Sequence, residues 1–300
     1  MKKLSVVISA FNEERNIEEC LKSVNFADEI IVIDNQSIDT TAKIAKKHKA
    51  KVYEKPNNLM LNVNKNFGFT KATGEWVLNL DADERVTPQL RDEILALIAD
   101  TKNQTEGYEI PRKNIIFGKV MMHTGWYPDL NLRLFKNGKG KFNERHVHEK
   151  IVVEGETGTL NNFLIHENYN SVKEFFRKTV LIYAPNEADQ LLENGYVFSY
   201  ADVIRFPLRE FLGRFFAREG YKDGYHGLVL SFLMACYHLV VFAYIWEKKR
   251  FVDEHESSLP LFKEQVKLAK KDLSYWLNTS EVAHASNPFV RLFYLIRRKL

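Results

Sequence analysis

What most restricts the fold of this chain is an alternation along its first hundred residues. Short apolar, β-branched runs recur, and segments with helical spacing of apolar residues separate them. Residues 4–10 (LSVVISA) end at Phe11-Asn12-Glu13-Glu14, and Ile17, Cys20, Leu21 and Val24 follow at three- and four-residue intervals. Ile30 to Ile33 closes at Asp34, and Asp39-Thr40-Thr41 opens a second helix. Val52 and Tyr53 predict a short third strand. Residues 62–73 predict a helix ended by Gly74, and Trp76 to Leu80 a fourth strand running into Asp81. A further helix is predicted at about 87–99. Strands alternating with helices through short connections specify an α/β fold, a mostly parallel sheet flanked by helices. Ligands bind such sheets outside the carboxyl ends of the strands. The polar clusters fall there: Asn12 and Glu13, Asp34 to Asp39, and Asp81 to Arg85.

The alternation stops near residue 100. Residues 107–166 are richer in glycine, β-branched and aromatic residues, and predict strands and hairpins at 107–111, 132–136, 151–153 and 163–166. From Ser171 onward the pattern is helical. The expected organisation is a catalytic region, 1–170, and a helical region, 171–300. The net charge of +4 on 300 residues gives no reason to expect a nucleic-acid partner. Cys20 and Cys236 form no CxxC pair and read as buried thiols of a reducing compartment. Met1-Lys2-Lys3 leads straight into a strand with no secretory pattern, so a cytosolic location is expected.

Asp81-Ala82-Asp83 is the most informative tripeptide. In an extended segment residues i and i+2 face the same way, so both carboxylates can converge on one point. Two anionic oxygens in a sheet-end crevice suit a hard divalent cation whose other positions hold water and phosphate. Transfer from a nucleoside diphosphate needs such a cation, because the diphosphate departs with growing negative charge. The competing reading is a solvated turn or a helix cap. Asp39 before two threonines fits a helix N-cap equally well. Asp34 at a strand end can accept hydrogen bonds from a base or ribose, with Asn12 and Glu13 beside it. Lys65, on the helix before the fourth strand, is either a phosphate contact or a solvated lysine.

Three segments in order, ISAFNEERNI, IIVIDNQSIDTT and GEWVLNLDADE, resemble glycosyltransferase family two, whose fold is of the GT-A type. The later GWYPDLNLRLFKNGKGKF and HVHEK are similar to a narrower subset, the bacterial lipopolysaccharide-core and cell-surface β-glycosyltransferases. The resemblance implies an NDP-sugar donor (a UDP-sugar is the expected case), inversion to a β-linkage, and Mg²⁺ or Mn²⁺. By position it implies that Asn12, Glu13, Asp34 and Asp39 line the nucleoside pocket, and that Asp81 and Asp83 hold the metal. The acceptor expected from that subset is a saccharide or lipid-linked saccharide.

The chain departs from the family at the acceptor side, where many relatives carry a Glu-Asp or Asp-Asp pair as base. The candidates here are Asp129 in WYPD and Glu149 in HVHE. Inverting transfer needs one carboxylate to take the acceptor hydroxyl proton. Glu149 is preferred because His146 and His148 precede it, imidazoles able to bond diphosphate or, for His148, to complete the metal shell. Arg133 fits a phosphate clamp or a structural salt bridge.

Residues 228–246 are uncharged and nearly long enough to cross a hydrocarbon core of roughly 30 Å. Both flanks are basic, which disfavours a single span. Leu208, Phe211, Leu212, Phe215 and Phe216 form an apolar stripe on an otherwise basic helix, the composition of an interfacial element. The expectation is attachment of about 203–250 to the cytosolic membrane surface; the alternative is a core helix with Phe211 packed against it. Residues 288–300 repeat the basic-aromatic character and are the expected place of a further membrane contact. A nucleotidyltransferase is a rival reading, but Ala10 to Arg15 lacks the glycine of a phosphate loop. A catalytically inactive membrane scaffold is the other.

Overall fold

The computed structural model describes residues 3–57, 61–144, 149–252 and 258–298. The chain forms two compact units, Met1–Val120 with Trp126–Asn170, and Met121–Gly125 with Ser171–Leu300.

The first unit opens with β1 (Leu4–Ala10), α1 (Ile17–Ser23), β2 (Glu29–Asp34), α2 (Thr41–Lys47), β3 (Lys51–Glu54), α3 (Leu61–Lys71) and β4 (Trp76–Asp81). It continues with β5 (Glu84–Val86), α4 (Pro88–Ala99), β6 (Gly107–Ile116), β7 (Lys119–Val120), β8 (Asp129–Lys136), β9 (Gly140–Lys141), β10 (Val152–Val153), β11 (Thr157–Thr159) and β12 (Leu164–Tyr169). The main sheet runs β3-β2-β1-β4-β8-β6-β12-β5. It is parallel from β3 to β4, and β8 enters antiparallel to both β4 and β6.

Every residue of β1 is buried because the strand lies between β2 and β4 with helices on both faces. Leu4, Val6 and Ile8 share one core with Ile17, Leu21, Leu90 and Ile94. Val7 faces the other, with Ile33, Val77, Phe69, Phe135 and Phe142. The register sets Ala10 opposite Asp34 and Ser9 opposite Asp81. The sheet therefore delivers both aspartates to the same edge, on either side of β1. α3 approaches closely at Gly68, where a Cβ would sit 2.6 Å from Val7 Cγ1, so only glycine lets that helix lie so near the sheet. The helix carries Lys65.

The second unit contains α5 (Val172–Lys178), a wide helical turn at Thr179–Tyr183, α6 (Ala184–Glu193), α7 (Asp202–Leu212), α8 (Tyr225–Lys248), α9 (Ser258–His284) and α10 (Pro288–Arg297). Asp223 ties residues 121–125 into it, accepting from the Met122 and His123 amides and the Thr124 hydroxyl. α8 is long and apolar enough to cross a membrane. One face of it is nevertheless core: Leu230, Met234, Val241, Phe242 and Ile245 are buried, while Val229, Phe232 and Leu239 are exposed. The α7 stripe expected at a membrane packs within the unit and is half-buried. Phe211 lies 4.4 Å from Phe232 of α8, and Phe216, in the turn after α7, stacks on Trp276 of α9 at 6.1 Å. Of the two cysteines expected to be buried, Cys20 is and Cys236 is exposed; Cys236 falls on the outward side of α8.

Candidate active site

At the carboxyl edge of the first unit, β4 ends in Asp81 and the chain turns at once into β5. That turn breaks the extended run assumed for Asp81-Ala82-Asp83, and the two carboxylates take different partners. Asp81 lies between cations, with Lys65 Nζ 2.5 Å from Oδ1 and an Arg133 guanidinium nitrogen 2.8 Å from Oδ2. Burial alone would push its carboxyl up; Lys65 and Arg133 outweigh that and hold it well below the usual carboxylate range. Asp83 Oδ2 is 3.5 Å from His166 Nε2, and its carbonyl accepts from the Glu167 amide of β12.

Glu84, fully buried, joins the cluster together. Its Oε2 accepts from the Asp81 amide at 2.9 Å, and its Oε1 from Arg133 at 2.6 Å and Arg112 at 2.9 Å. Arg112 reaches on to Asp129, donating twice to Oδ2 at 2.9 and 2.6 Å. Asn114 donates to the same oxygen at 3.2 Å and Asn131 to Oδ1 at 2.9 Å. Burial pushes the Asp129 carboxyl up, but Arg112 and these amides hold it below its ordinary value. A carboxylate with so many donors is a weak proton acceptor.

A cavity of about 290 Å³ opens on this cluster, lined by Lys65, Asp81, Arg112, Arg133, Glu149 and Lys150 among others. Both base candidates thus stand at the same edge, Glu149 in the cavity wall and Asp129 locked to Arg112. His146 and His148 lie outside the described residues.

The nucleoside-side candidates do structural work. The Asn12 amide donates to Ser37 Oγ, and Asn12 Oδ1 accepts from the Ile38 amide. Asp39 accepts from the Thr41 amide and hydroxyl on one oxygen and from the Glu14 amide on the other. Burial pushes the Asp39 carboxyl up, but these hydrogen bonds hold it below its ordinary value. The Glu13 amide donates to Thr41 Oγ1, and its carboxylate accepts from Asn16. Together they staple the β1–α1 loop to the β2–α2 loop, which fixes the wall beside Asp34. Asp34 is buried at the end of β2 and accepts from the Ser37 amide at 3.3 Å. Phe11, at the end of β1, keeps 40% of its surface exposed, an aromatic face beside that wall.

Sequence reasoning missed Glu84, Arg112, Asn114 and His166. Asn114 fixes the histidine. Its Nδ2 faces two acceptors, the Trp126 carbonyl at 2.8 Å and Asp129, so its Oδ1 must be the acceptor toward His166 Nδ1 at 2.7 Å. Nδ1 therefore carries a proton, and Nε2 is the ring nitrogen turned toward Asp83. A carboxylate oxygen beside an imidazole nitrogen is a donor set that fits Mg²⁺ or Mn²⁺, with preference for the latter. Asp81 fits less well, since a metal there must displace Lys65 or Arg133. Among the described residues no three His, Cys, Asp or Glu side chains form a metal-holding group.

The profile of glycosyl transferase family 2 matches residues 5–162. An uncharacterised glycosyltransferase of Rickettsia typhi is 32% identical over 247 residues, 78% of this chain and 84% of that one. A lipopolysaccharide core biosynthesis glycosyltransferase of Rhizobium meliloti is 27% identical over 253 residues, 82% of this chain and 92% of its own. Among solved structures, Staphylococcus aureus TarS residues 1–349 in complex with UDP-GlcNAc aligns over 85% of this chain and 93% of that one, with 16% identity and a TM-score of 0.43.

Proposed function

We infer that the chain, which belongs to glycosyl transferase family 2, moves a sugar with inversion from a nucleoside-diphosphate sugar, a UDP-sugar in the first instance, to a saccharide or lipid-linked acceptor of the cell envelope. The observation that carries this reading is the single cavity that combines Lys65, Arg133 and Asp81 with Glu149. Two cations there can meet a diphosphate, and one carboxylate can meet an acceptor hydroxyl. The Rhizobium meliloti relative, aligned over nearly its whole length, supports an envelope-glycan acceptor. The work site we propose is the cytosolic membrane surface.

The loop wall built by Asn12, Glu13 and Asp39 positions Asp34 and Phe11 for the nucleoside. Lys65 and Arg133 receive the diphosphate. Glu149 takes the acceptor hydroxyl proton as the oxygen attacks the anomeric carbon opposite the leaving group. Asp129, held by Arg112, shapes the acceptor side. Asp83 and His166 are the residues that would hold a divalent cation, which supplies positive charge for the departing diphosphate.

The test screens NDP-sugars for thermal stabilisation with Mn²⁺, then measures transfer by Glu149→Gln and Asp129→Asn. Stabilisation by a donor follows mass action. Glu149→Gln should leave donor affinity unchanged and lower kcat by about 10² to 10⁴, whereas Asp129→Asn should be milder. The reverse ranking assigns the base to Asp129. No donor binding at all defeats the transferase reading in favour of an inactive scaffold.

A further inference from the structure

α10 is built inside out. Phe289, Leu292, Phe293 and Ile296 recur at i, i+3, i+4 and i+7, the spacing of one continuous helical face. In a soluble helix that face turns inward. Here it turns outward: the four side chains are 83%, 55%, 52% and 56% exposed. The half-buried residues are Tyr294, Leu295 and Arg298, on the opposite side, where Arg298 lies over the Tyr275 ring of α9 at 5.8 Å. α10 contains no buried residue. The helix thus uses its poorer face to hold the unit and leaves its most apolar stripe in water.

The charge around that stripe narrows what covers it. After Glu281 the sequence has no Asp or Glu, but has Arg291, Arg297, Arg298 and Lys299. Those four positive charges equal the formal net charge of the whole chain, +4. An anionic bilayer supplies both a hydrocarbon layer for the four apolar side chains and negative headgroups for the exposed Arg291 and Arg297 of this acid-free segment.

We propose that α10 lies in the interface of an anionic membrane, with Phe289, Leu292, Phe293 and Ile296 inserted and the exposed Arg291 and Arg297 reaching headgroup level. This rests on the membrane-surface part of the proposed function and names the element that makes the contact. It moves that role from α7, whose aromatic stripe packs on α8 and α9, to the outward face of α10.

The test is co-sedimentation of the full chain with vesicles of phosphatidylcholine alone and of phosphatidylcholine with phosphatidylglycerol. The wild-type chain should bind the anionic vesicles, and added salt should weaken the binding. Leu292→Asp with Ile296→Asp should reduce that binding by at least about tenfold, a loss of about 1.4 kcal/mol or more, while donor-induced thermal stabilisation stays unchanged. Leu292→Ala with Ile296→Ala, which adds no charge, should give a smaller loss in the same direction. Undiminished vesicle binding by the aspartate variant overturns the assignment to α10 and leaves membrane attachment standing. No vesicle binding by the wild-type chain overturns both, yet leaves the transferase reading, which is read by donor stabilisation and transfer. A concentration-dependent dimer in sedimentation velocity that the aspartate variant abolishes overturns the lipid assignment in favour of a second copy.

Discussion

Glu84→Gln is the substitution that most directly probes the site's architecture. Glu84 Oε1 accepts from Arg112 and Arg133, and Oε2 from the Asp81 amide. Glutamine offers one acceptor oxygen and one NH₂ group. With its oxygen toward the arginines, its NH₂ meets the Asp81 N–H, donor against donor. Flipped, the NH₂ meets two guanidiniums. Either way a fully buried position loses its charge and at least one hydrogen bond. Removing one partner from a buried charge cluster costs about 3–5 kcal/mol. Asp81 and Asp129 still oppose the two arginines, so the lower end, about 3 kcal/mol, is expected. At about 2–4 °C per kcal/mol for a domain of this size, the melting temperature should fall by roughly 6–12 °C. Thermal melts followed by circular dichroism read this, and donor titration reads the loosened Arg133. A fall of under about 2 °C with unchanged donor affinity would refute the view that Glu84 organises the cluster.

Two further expectations follow from the same geometry. Asp81 and Asp129 are both held below the ordinary carboxylate value of 3.8, so the stability they contribute is present above that value and is lost only as pH falls below it. Asp129→Asn should accordingly leave the shape of the pH–rate profile between about pH 5 and 8 unaltered, and a displaced acid limb would show that Asp129 titrates in turnover. His166→Ala should weaken Mn²⁺ binding in the presence of nucleoside diphosphate by at least about tenfold, read by electron paramagnetic resonance; unchanged binding would remove His166 from the metal site.

The strand–helix alternation was legible because β1, β2 and β4 are buried on both faces and so read as continuous apolar runs. Their carboxyl ends located Asp34 and Asp81 correctly on one edge. β5 was not legible: three residues, Glu84 to Val86, carry no periodicity, and the strand exists because β12 returns to pair with it. The partners of Asp81 and Glu84 were invisible for a related reason. Lys65, Arg112 and Arg133 come from α3, β6 and β8, and only the order of strands in the sheet brings them together. Local pattern also misassigned the geometry of Asp81 and Asp83, since the two-residue alternation holds only while the chain stays extended. In the second unit the α7 stripe was read correctly as amphipathic, but amphipathicity does not say what lies opposite. Phe211 found Phe232.

Lys65 differs from the two arginines of the cavity in how it is held. Arg112 is shared between Glu84 and Asp129, and Arg133 between Asp81 and Glu84. Lys65 is paired with Asp81. An ammonium has three donors, so one can stay on Asp81 while another meets a phosphate oxygen. The planar arginines, fixed on two carboxylates each, set the field of the pocket; Lys65 is the group able to follow the diphosphate as charge develops on it. Lys65→Met keeps the chain length and leaves Asp81 paired with Arg133. Losing one hydrogen bond from a charged donor costs about 1.5–3 kcal/mol, which corresponds to a donor affinity weaker by about 10- to 150-fold. If Lys65 only binds, KM rises and kcat stays; if it also stabilises the leaving group, kcat falls as well. We expect both, because the charge on the diphosphate is greatest as the bond breaks. Lys65→Met with nucleoside-diphosphate affinity within about twofold of wild type would place the diphosphate elsewhere and leave Lys65 as the counter-ion of Asp81.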